Sequence, residues 1–318
     1  MRILIVGAGS IGQLYGFVLQ RGGADVDVYV RPDYLDEARE GYRLYDRRKK
    51  FRISSTFRPE SAFSKPDEIE GQSYDVVLIC ISSTGLRGEW IKEFAPATAE
   101  ATFASLTPGL KDREFLEQYV DKERLVTGLI TAVSYPAPLP GEEVDEPGTA
   151  YWLPPLTPAF FDGPADRVKP LLKALKQGGM SARKMRRLPE RASFGSALLV
   201  PFVAVLETMD WSFDELRTSK EARETLDRCV DEALEAVEMR FDARRPLPTK
   251  LLGPFGWRCA LRFAPVPPPF DLETYLKVHF TKVGDQTRMM LQDYIDERAG
   301  SELDSPALEE LLERLSNL

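Results

Sequence analysis

Six residues near the N-terminus, Gly7-Ala8-Gly9-Ser10-Ile11-Gly12, have the types and spacing to receive a phosphate. This G-x-G-x-x-G run directly follows the apolar stretch Ile3-Leu4-Ile5-Val6 and directly precedes a helical period, the context that separates a dinucleotide turn from a chance cluster of glycines. Gly7 permits the tight strand-to-helix turn, Gly9 leaves bare backbone against a pyrophosphate, and Gly12 lets the helix pack close on the sheet. First-turn N–H groups have no intrahelical acceptor, and the helix dipole adds partial positive charge, so this helix end suits a diphosphate. The next strand, Val26 to Val30, ends in Arg31, where an NAD site usually places a carboxylate for the ribose 2′-hydroxyl. A guanidinium there grips a 2′-phosphate with paired hydrogen bonds. The expected cofactor is therefore NADP, with Asp27 and Asp33 keeping NAD as the alternative.

Other chemistries find little support. His279 is the only histidine, which excludes mechanisms and common zinc sites that need two. It reads as a partly buried structural residue. No G-x-S-x-G elbow is present for serine hydrolysis, and Cys80, Cys229 and Cys259 are scattered without metal spacing, so no metal is expected. A sparse, odd cysteine count suits a reducing compartment. The net charge of −8, with both signs interspersed, argues against a nucleic-acid footprint. The runs Arg47-Arg48-Lys49 and Arg183 to Arg187 read as solvated turns.

The elements that must position these residues form an α/β pattern. Arg2 to Val6, Asp25 to Val30, Asp75 to Ile81, Ala101 to Leu106 and Arg124 to Val133 read as strands, and Ile11 to Arg21 as the first helix. Alternation of strands with helices predicts a parallel sheet. Tyr42 to Phe57 predicts a hairpin. Tyr135 to Pro158 is rich in proline and glycine and reads as strand edges and loops approaching a boundary. Beyond about Pro164 helical periods dominate: Arg191 to Met209, Lys220 to Phe241, Asp271 to Ala299 and Pro306 to Leu315. Arg244 to Pro269 reads as a proline-rich connection without a period. The aromatics Trp211, Phe213, Phe255, Trp257 and Phe263 are expected mainly to pack. The expectation is a Rossmann-type parallel-sheet domain over 1–164 and an all-helical domain over 165–318. The N-terminus lacks a signal-peptide pattern. The apolar run Ala197 to Leu206 contains Pro201 and is shorter than a membrane span, so a soluble cytoplasmic protein without membrane contact is expected.

With these residues in place, the sequence resembles the ketopantoate reductase (2-dehydropantoate 2-reductase) family over nearly its whole length. The resemblance is carried by MRILIVGAGSIGQLYG at the start, Arg31, DVVLICIS ending at Ser82, TPGLKDREFL from Thr107, WSFDELR from Trp211 and RMMLQDYIDERAGSELD from Arg288. It implies a helical C-terminal domain for substrate and dimerisation, and NADPH-driven reduction of an α-keto acid to a 2-hydroxy acid. By the same resemblance Ser82 and Pro108 join Gly7, Ala8, Gly9, Ser10, Ile11, Gly12 and Arg31 at the cofactor. The chain departs from the family pattern at the chemistry. Pro108 replaces an asparagine, Ser82 a frequent lysine, and Met289 a serine. The family's catalytic lysine falls on Ala192, with Arg191 and Ser193 as one-residue slips. The downstream acid is retained as Glu302.

Carbonyl reduction develops an alkoxide, which needs a proton donor. Arg191 holds its proton too tightly to be one. Lys282, Asp285 and Met289 would share a face of one continuous helix, so Lys282 is the expected replacement acid, with Glu302 as its orienting or substrate-hydroxyl partner. The expected function is reduction of a keto acid or related carbonyl by an NADP-dependent oxidoreductase, with ketopantoate itself in question. The competing expectation is a catalytically silent NADP-binding sensor or scaffold. The expected partner is a small carbonyl substrate, and a homodimer is left open.

Overall fold

The computed structural model describes all residues other than 50, 52, 99, 248, 250–253 and 264–267. The side chains of Phe255 and Phe263, counted above among the packing aromatics, lie outside the described residues. The chain divides into two compact units, Met1–Pro189 and Glu190–Leu318.

Unit 1 begins with β1 (Arg2–Val6), α1 (Ser10–Arg21), β2 (Asp25–Tyr29) and α2 (Leu35–Glu40). The predicted hairpin follows as β3 (Tyr42–Asp46) and β4 (Ser54–Phe57), antiparallel with Tyr42 opposite Phe57. Next come β5 (Ala62–Phe63), β6 (Val76–Ile79), α3 (Ser83–Leu86), α4 (Trp90–Ala97), β7 (Thr102–Ser105) and α5 (Asp112–Glu117). The unit ends with β8 (Leu125–Leu129), β9 (Val133–Ala137), β10 (Gly148–Trp152), β11 (Ala159–Asp162), α6 (Ala165–Gln177) and β12 (Ala182–Lys184).

Two sheets result. The larger has the order β12-β11-β8-β7-β6-β1-β2-β5, parallel throughout except where β8 meets β11. Its central strands are buried on both faces, which explains why Ile3 to Val6 and Val76 to Ile79 read as unbroken apolar runs. From β1 the chain moves outward to β2 and β5, then returns to β6 on the other side of β1. The carboxyl ends of β1 and β6 therefore form a topological switch point, where such sheets open a ligand crevice. The second sheet, β4-β3-β10-β9, packs against α1. That cover buries α1 almost all round, including Leu14 and Leu19, each worth roughly 1.5–3 kcal/mol on burial.

Three expectations shift here. The strand expected over Arg124 to Val133 ends at Leu129 as β8, and Val133 already opens β9 of the other sheet. The proline-rich stretch supplies β9 and β10, a full half of the second sheet. The boundary expected at 164/165 falls instead at Pro189, because α6 packs on α1 and β12 extends the large sheet beside β11. Arg47 also departs from its expected solvation. It is 9% exposed and pairs with Glu142 at 2.9 Å over the ring of Phe51.

Every described element of unit 2 is a helix: α7 (Leu188–Thr208, entering from the end of unit 1), α8 (Phe213–Thr218), α9 (Lys220–Phe241), α10 (Pro254–Phe263), α11 (Leu272–Lys282), α12 (Gly284–Ala299) and α13 (Pro306–Ser316). α9 is the hub, packed by α10, α12 and α13. Its Glu232 carboxylate accepts from the N–H groups of Ala307 and Leu308 at 3.1 and 2.9 Å, capping α13. α10 was hidden by its proline-rich flanks, yet Trp257 and Leu261 bury one turn apart on it, and Trp257 stacks on Phe202. α7, at 21 residues and mean hydropathy 1.3, is long and apolar enough to cross a membrane by length and composition, contrary to the shorter run expected. Half of it is buried inside the fold, as for a core helix.

Candidate functional site

Because β2, β1, β6 and β7 run parallel side by side, the residues that follow them share one edge of the sheet. Gly7 to Gly12 follow β1, Arg31 follows β2, Ser82 follows β6 and Pro108 follows β7. The structure thus brings all nine expected cofactor positions to the carboxyl edge.

Within the turn, three glycines act for three different reasons. Gly7 has φ +88°, and a Cβ there would lie 2.4 Å from Ile81 Cγ2. Gly12 lies against the turn itself, where a Cβ would stand 2.0 Å from the Gly7 carbonyl oxygen. Gly9 caps α1 in an ordinary extended conformation, φ −68° and ψ −178°, and a Cβ there meets nothing within 4 Å. The space over Gly9 is open, α1 has no side-chain cap, and its first turn has no acidic residue. Unsatisfied N–H groups and the positive helix end therefore face open space. Ala8, Ser10 and Ile11 contribute backbone here: Gln13 Nε2 donates to the Ala8 carbonyl at 2.8 Å and Ser134 Oγ to the Ser10 carbonyl at 2.9 Å. Gln13 is in turn bonded to Thr149 of β10, so the second sheet holds the turn in shape. Sequence reasoning missed Gln13; its signal was a lone amide in the buried run Gly12 to Leu19.

Gly12→Ala is expected to lower the stability of unit 1 by about 2–3 kcal/mol, because the intruding methyl meets backbone and not a yielding side chain. Thermal unfolding checks this as a drop of several degrees in Tm; an unchanged Tm contradicts it.

Arg31 is exposed, stacks over the ring of Tyr34 at 5.0 Å and donates to its hydroxyl at 3.1 Å. Among the described residues no carboxylate pairs with it. Asp27, one of the two acids that kept NAD open, is committed elsewhere: it is 1% exposed, pairs with Arg2 at 2.9 Å and accepts from the Tyr74 hydroxyl. Asp33 is exposed in the turn after Arg31. Ser82 caps α3, accepting from the Gly85 N–H at 3.0 Å. Pro108 is exposed, and the next residue is anchored: the Gly109 N–H donates to Asp112 Oδ2 at 2.8 Å. Asp112 also accepts from Ser83 at 2.6 Å and pairs with Arg87 at 2.8 Å. A buried carboxylate thus ties the loops after β6 and β7 together, a link between distant segments that no local motif announced.

The expected catalytic pair fares differently. The continuous helix expected over Asp271 to Ala299 breaks at Val283, so Lys282 ends α11 while Asp285 and Met289 lie on α12. The shared face on which Lys282 was selected is absent. Lys282 is exposed before the start of α12, and Glu302 is exposed beyond its end at φ +60°. Sixteen residues of helix between them span about 24 Å, so Lys282 and Glu302 do not meet. The motif from Arg288 has structural duties instead. Arg288 donates to Glu207 and the Leu315 carbonyl, and buried Arg298 binds Ser305, the Asp304 carbonyl and Glu235.

His279 stacks on Tyr275 and meets Phe280 edge-on. Burial, helped by the charge of Lys282, pushes its pKa down to about 4. The unfolded chain takes up this proton near pH 6.5, whereas the native state resists until about 4. Its contribution to stability is therefore full above pH 6.5 and is lost as pH falls toward 4, by roughly 1–3 kcal/mol. His279→Phe should flatten the melting profile in that window; an unaltered slope contradicts the assignment.

An open, mostly parallel doubly wound sheet, joined to a second small sheet and followed by an all-helical unit, defines the class. Residues 3–138, the stretch that bears the glycine turn, match the family model for ketopantoate reductase PanE/ApbA. The whole fold is shared with a PanE/ApbA family ketopantoate reductase from Ralstonia eutropha JMP134, at TM-score 0.75 and 19% identity over 99% of this chain and 97% of that one. It is shared equally with a 2-dehydropantoate 2-reductase from Geobacter metallireducens GS-15, at TM-score 0.73 and 19% identity over 100% and 99%. A third similar structure is D-mandelate dehydrogenase with NADH and anilino(oxo)acetate, at TM-score 0.75 and 13% identity over 100% and 97%. No curated protein sequence matches the chain.

Proposed function

We propose that the chain is an NADP-dependent oxidoreductase of the 2-hydroxy acid type, reducing a small keto acid or related carbonyl. The observation that carries this reading is the open space over Gly9 at an uncapped helix end, with Arg31, which has no carboxylate partner among the described residues, at the tip of the neighbouring strand. The N–H groups at the start of α1 would hold the diphosphate. The Arg31 guanidinium would hold the 2′-phosphate with paired hydrogen bonds. Ser82, and the backbone at Pro108 fixed through Asp112, would line the far side of the crevice. A bound reduced nicotinamide supplies the hydride for carbonyl reduction. The related proteins, a ketopantoate reductase and a D-mandelate dehydrogenase, make 2-keto acids the substrate class to try first.

Consumption of NADPH with a panel of 2-keto acids tests this proposal: turnover on at least one of them is expected, and the break at Val283 removes the face on which Lys282 was selected as proton donor. Two features favour a second reading, an NADP-binding protein without turnover: by the family resemblance the lysine position falls on Ala192, or on Arg191 or Ser193 with a one-residue slip, and Lys282 and Glu302 lie at opposite ends of α12. Tight NADPH binding with no turnover on any keto acid or imine selects that reading.

A further inference from the structure

We propose that unit 1 carries a second ligand site, for a small organic anion bearing a carboxylate or phosphate head, at the end of α1 remote from the glycine turn. A cavity of about 220 Å³ opens there. Arg21 ends α1, Arg48 and Lys49 come from the turn after β3, and Tyr151 comes from β10. The twelve residues of α1 place this cavity about 18 Å along the helix from Gly9, so it is separate from the dinucleotide turn.

Charge selects the ligand. Among the described residues three cations line the cavity against a single carboxylate, Asp46, on a chain of net charge −8. Asp46 is spent on Arg48, which reaches it through Nε at 2.9 Å and Nη2 at 2.6 Å. Burial opposes ionisation of Asp46, but the Arg48 hydrogen bonds hold its carboxyl below the usual range. Arg21 lies over the ring of Phe17 at 5.3 Å, and neither Arg21 nor Lys49 has a carboxylate partner among the described residues. A surplus of positive charge therefore faces the cavity.

Tyr151 supplies the independent observation. Its side chain is 94% buried by its 6% exposure, yet its hydroxyl has no hydrogen-bond partner among the described residues. The hydroxyl oxygen is not among the fully enclosed orphan atoms, and the cavity it lines is its route to solvent. Burial, then the charge of Asp46, raises its pKa, so it stays protonated and can donate. With its ring buried and its hydroxyl opening on the cavity, Tyr151 can donate to an anionic oxygen placed between it and Arg21, a charge-assisted bond. Phe17, Val18 and Leu153 line the same cavity and would take a compact apolar body.

Calorimetric titration of the full chain with phenyl phosphate, benzoate and inorganic phosphate tests the site. One equivalent of phenyl phosphate or benzoate is expected to bind, with inorganic phosphate at least about tenfold weaker for lack of the apolar body. The tighter of the two organic anions identifies the head group. Arg21→Gln, an exposed change that leaves the fold intact, should weaken binding by about tenfold, and Tyr151→Phe severalfold. Gly9→Asp should leave it unchanged, which separates this site from the dinucleotide turn. Absence of saturable binding by either organic anion, equal binding to Arg21→Gln, or loss in Gly9→Asp overturns the proposal.

Discussion

Gly9→Asp should abolish dinucleotide binding without lowering the stability of the fold. Gly9 has backbone angles that any residue adopts, and a Cβ there enters open space. Aspartate is among the best N-terminal caps, so its carboxylate would bond the free N–H groups of the first turn of α1 and stabilise the helix by about 0.5–1 kcal/mol. The same carboxylate would occupy the space over the turn proposed to hold the diphosphate and repel it. Like charges brought together in a binding site cost several kcal/mol, which corresponds to a loss of about a thousandfold in affinity. Titration with NADPH alongside a thermal melt separates the two effects. Retained affinity for NADPH in a folded Gly9→Asp protein contradicts the placement of the phosphates. The contrast with Gly12→Ala is diagnostic, since that substitution fails through the fold and this one through the ligand.

Arg31→Glu should invert the choice of cofactor. Arg31 is exposed, and among the described residues its side chain bonds and stacks on Tyr34 alone, so its replacement changes stability by no more than about 0.5 kcal/mol. Its hydrogen bonds to a 2′-phosphate would be charge-assisted, worth about 1.5–3 kcal/mol. NADPH should therefore bind about tenfold to a hundredfold more weakly, with further loss from repulsion by the new carboxylate. NADH should bind as well as before or better, because a carboxylate at this strand tip accepts from the ribose hydroxyls. The measurement is the ratio of the two dissociation constants in wild type and variant. An unchanged ratio shows that Arg31 does not read the 2′-phosphate.

How much of this was legible in the residues differs by feature. The first strand, turn and helix were legible because local rules govern them: a buried parallel strand, glycines at fixed offsets, and an apolar period of 3.6. The hairpin Tyr42 to Phe57 was legible for the same reason. The second sheet was not, because β3 pairs in parallel with β10 about a hundred residues away, and long-range pairing leaves no local period. α6 and β12 read as the start of the helical domain because a helix covering a sheet has the same periodicity as one in a bundle.

At the site, the backbone-binding positions were legible and the chemistry was not. Gly7 to Gly12 and Arg31 carry their roles in residue type and in position relative to a strand end. Lys282 was selected on the assumption of one helix from Asp271 to Ala299. Val283 and Gly284 end that helix early, glycine being a poor helix interior residue, and a one-residue break removes the shared face. The roles of Gln13 and Asp112 depend on partners in other segments, Thr149 and Ser83, that only the folded chain brings near.

The most direct test of the central claim is calorimetric titration of the unmodified protein with NADPH and with NADH at one fixed salt concentration. The bare turn after β1 and the guanidinium after β2 predict one saturable site per chain, with NADPH at least about tenfold tighter than NADH. Absence of binding by either nucleotide would contradict the account.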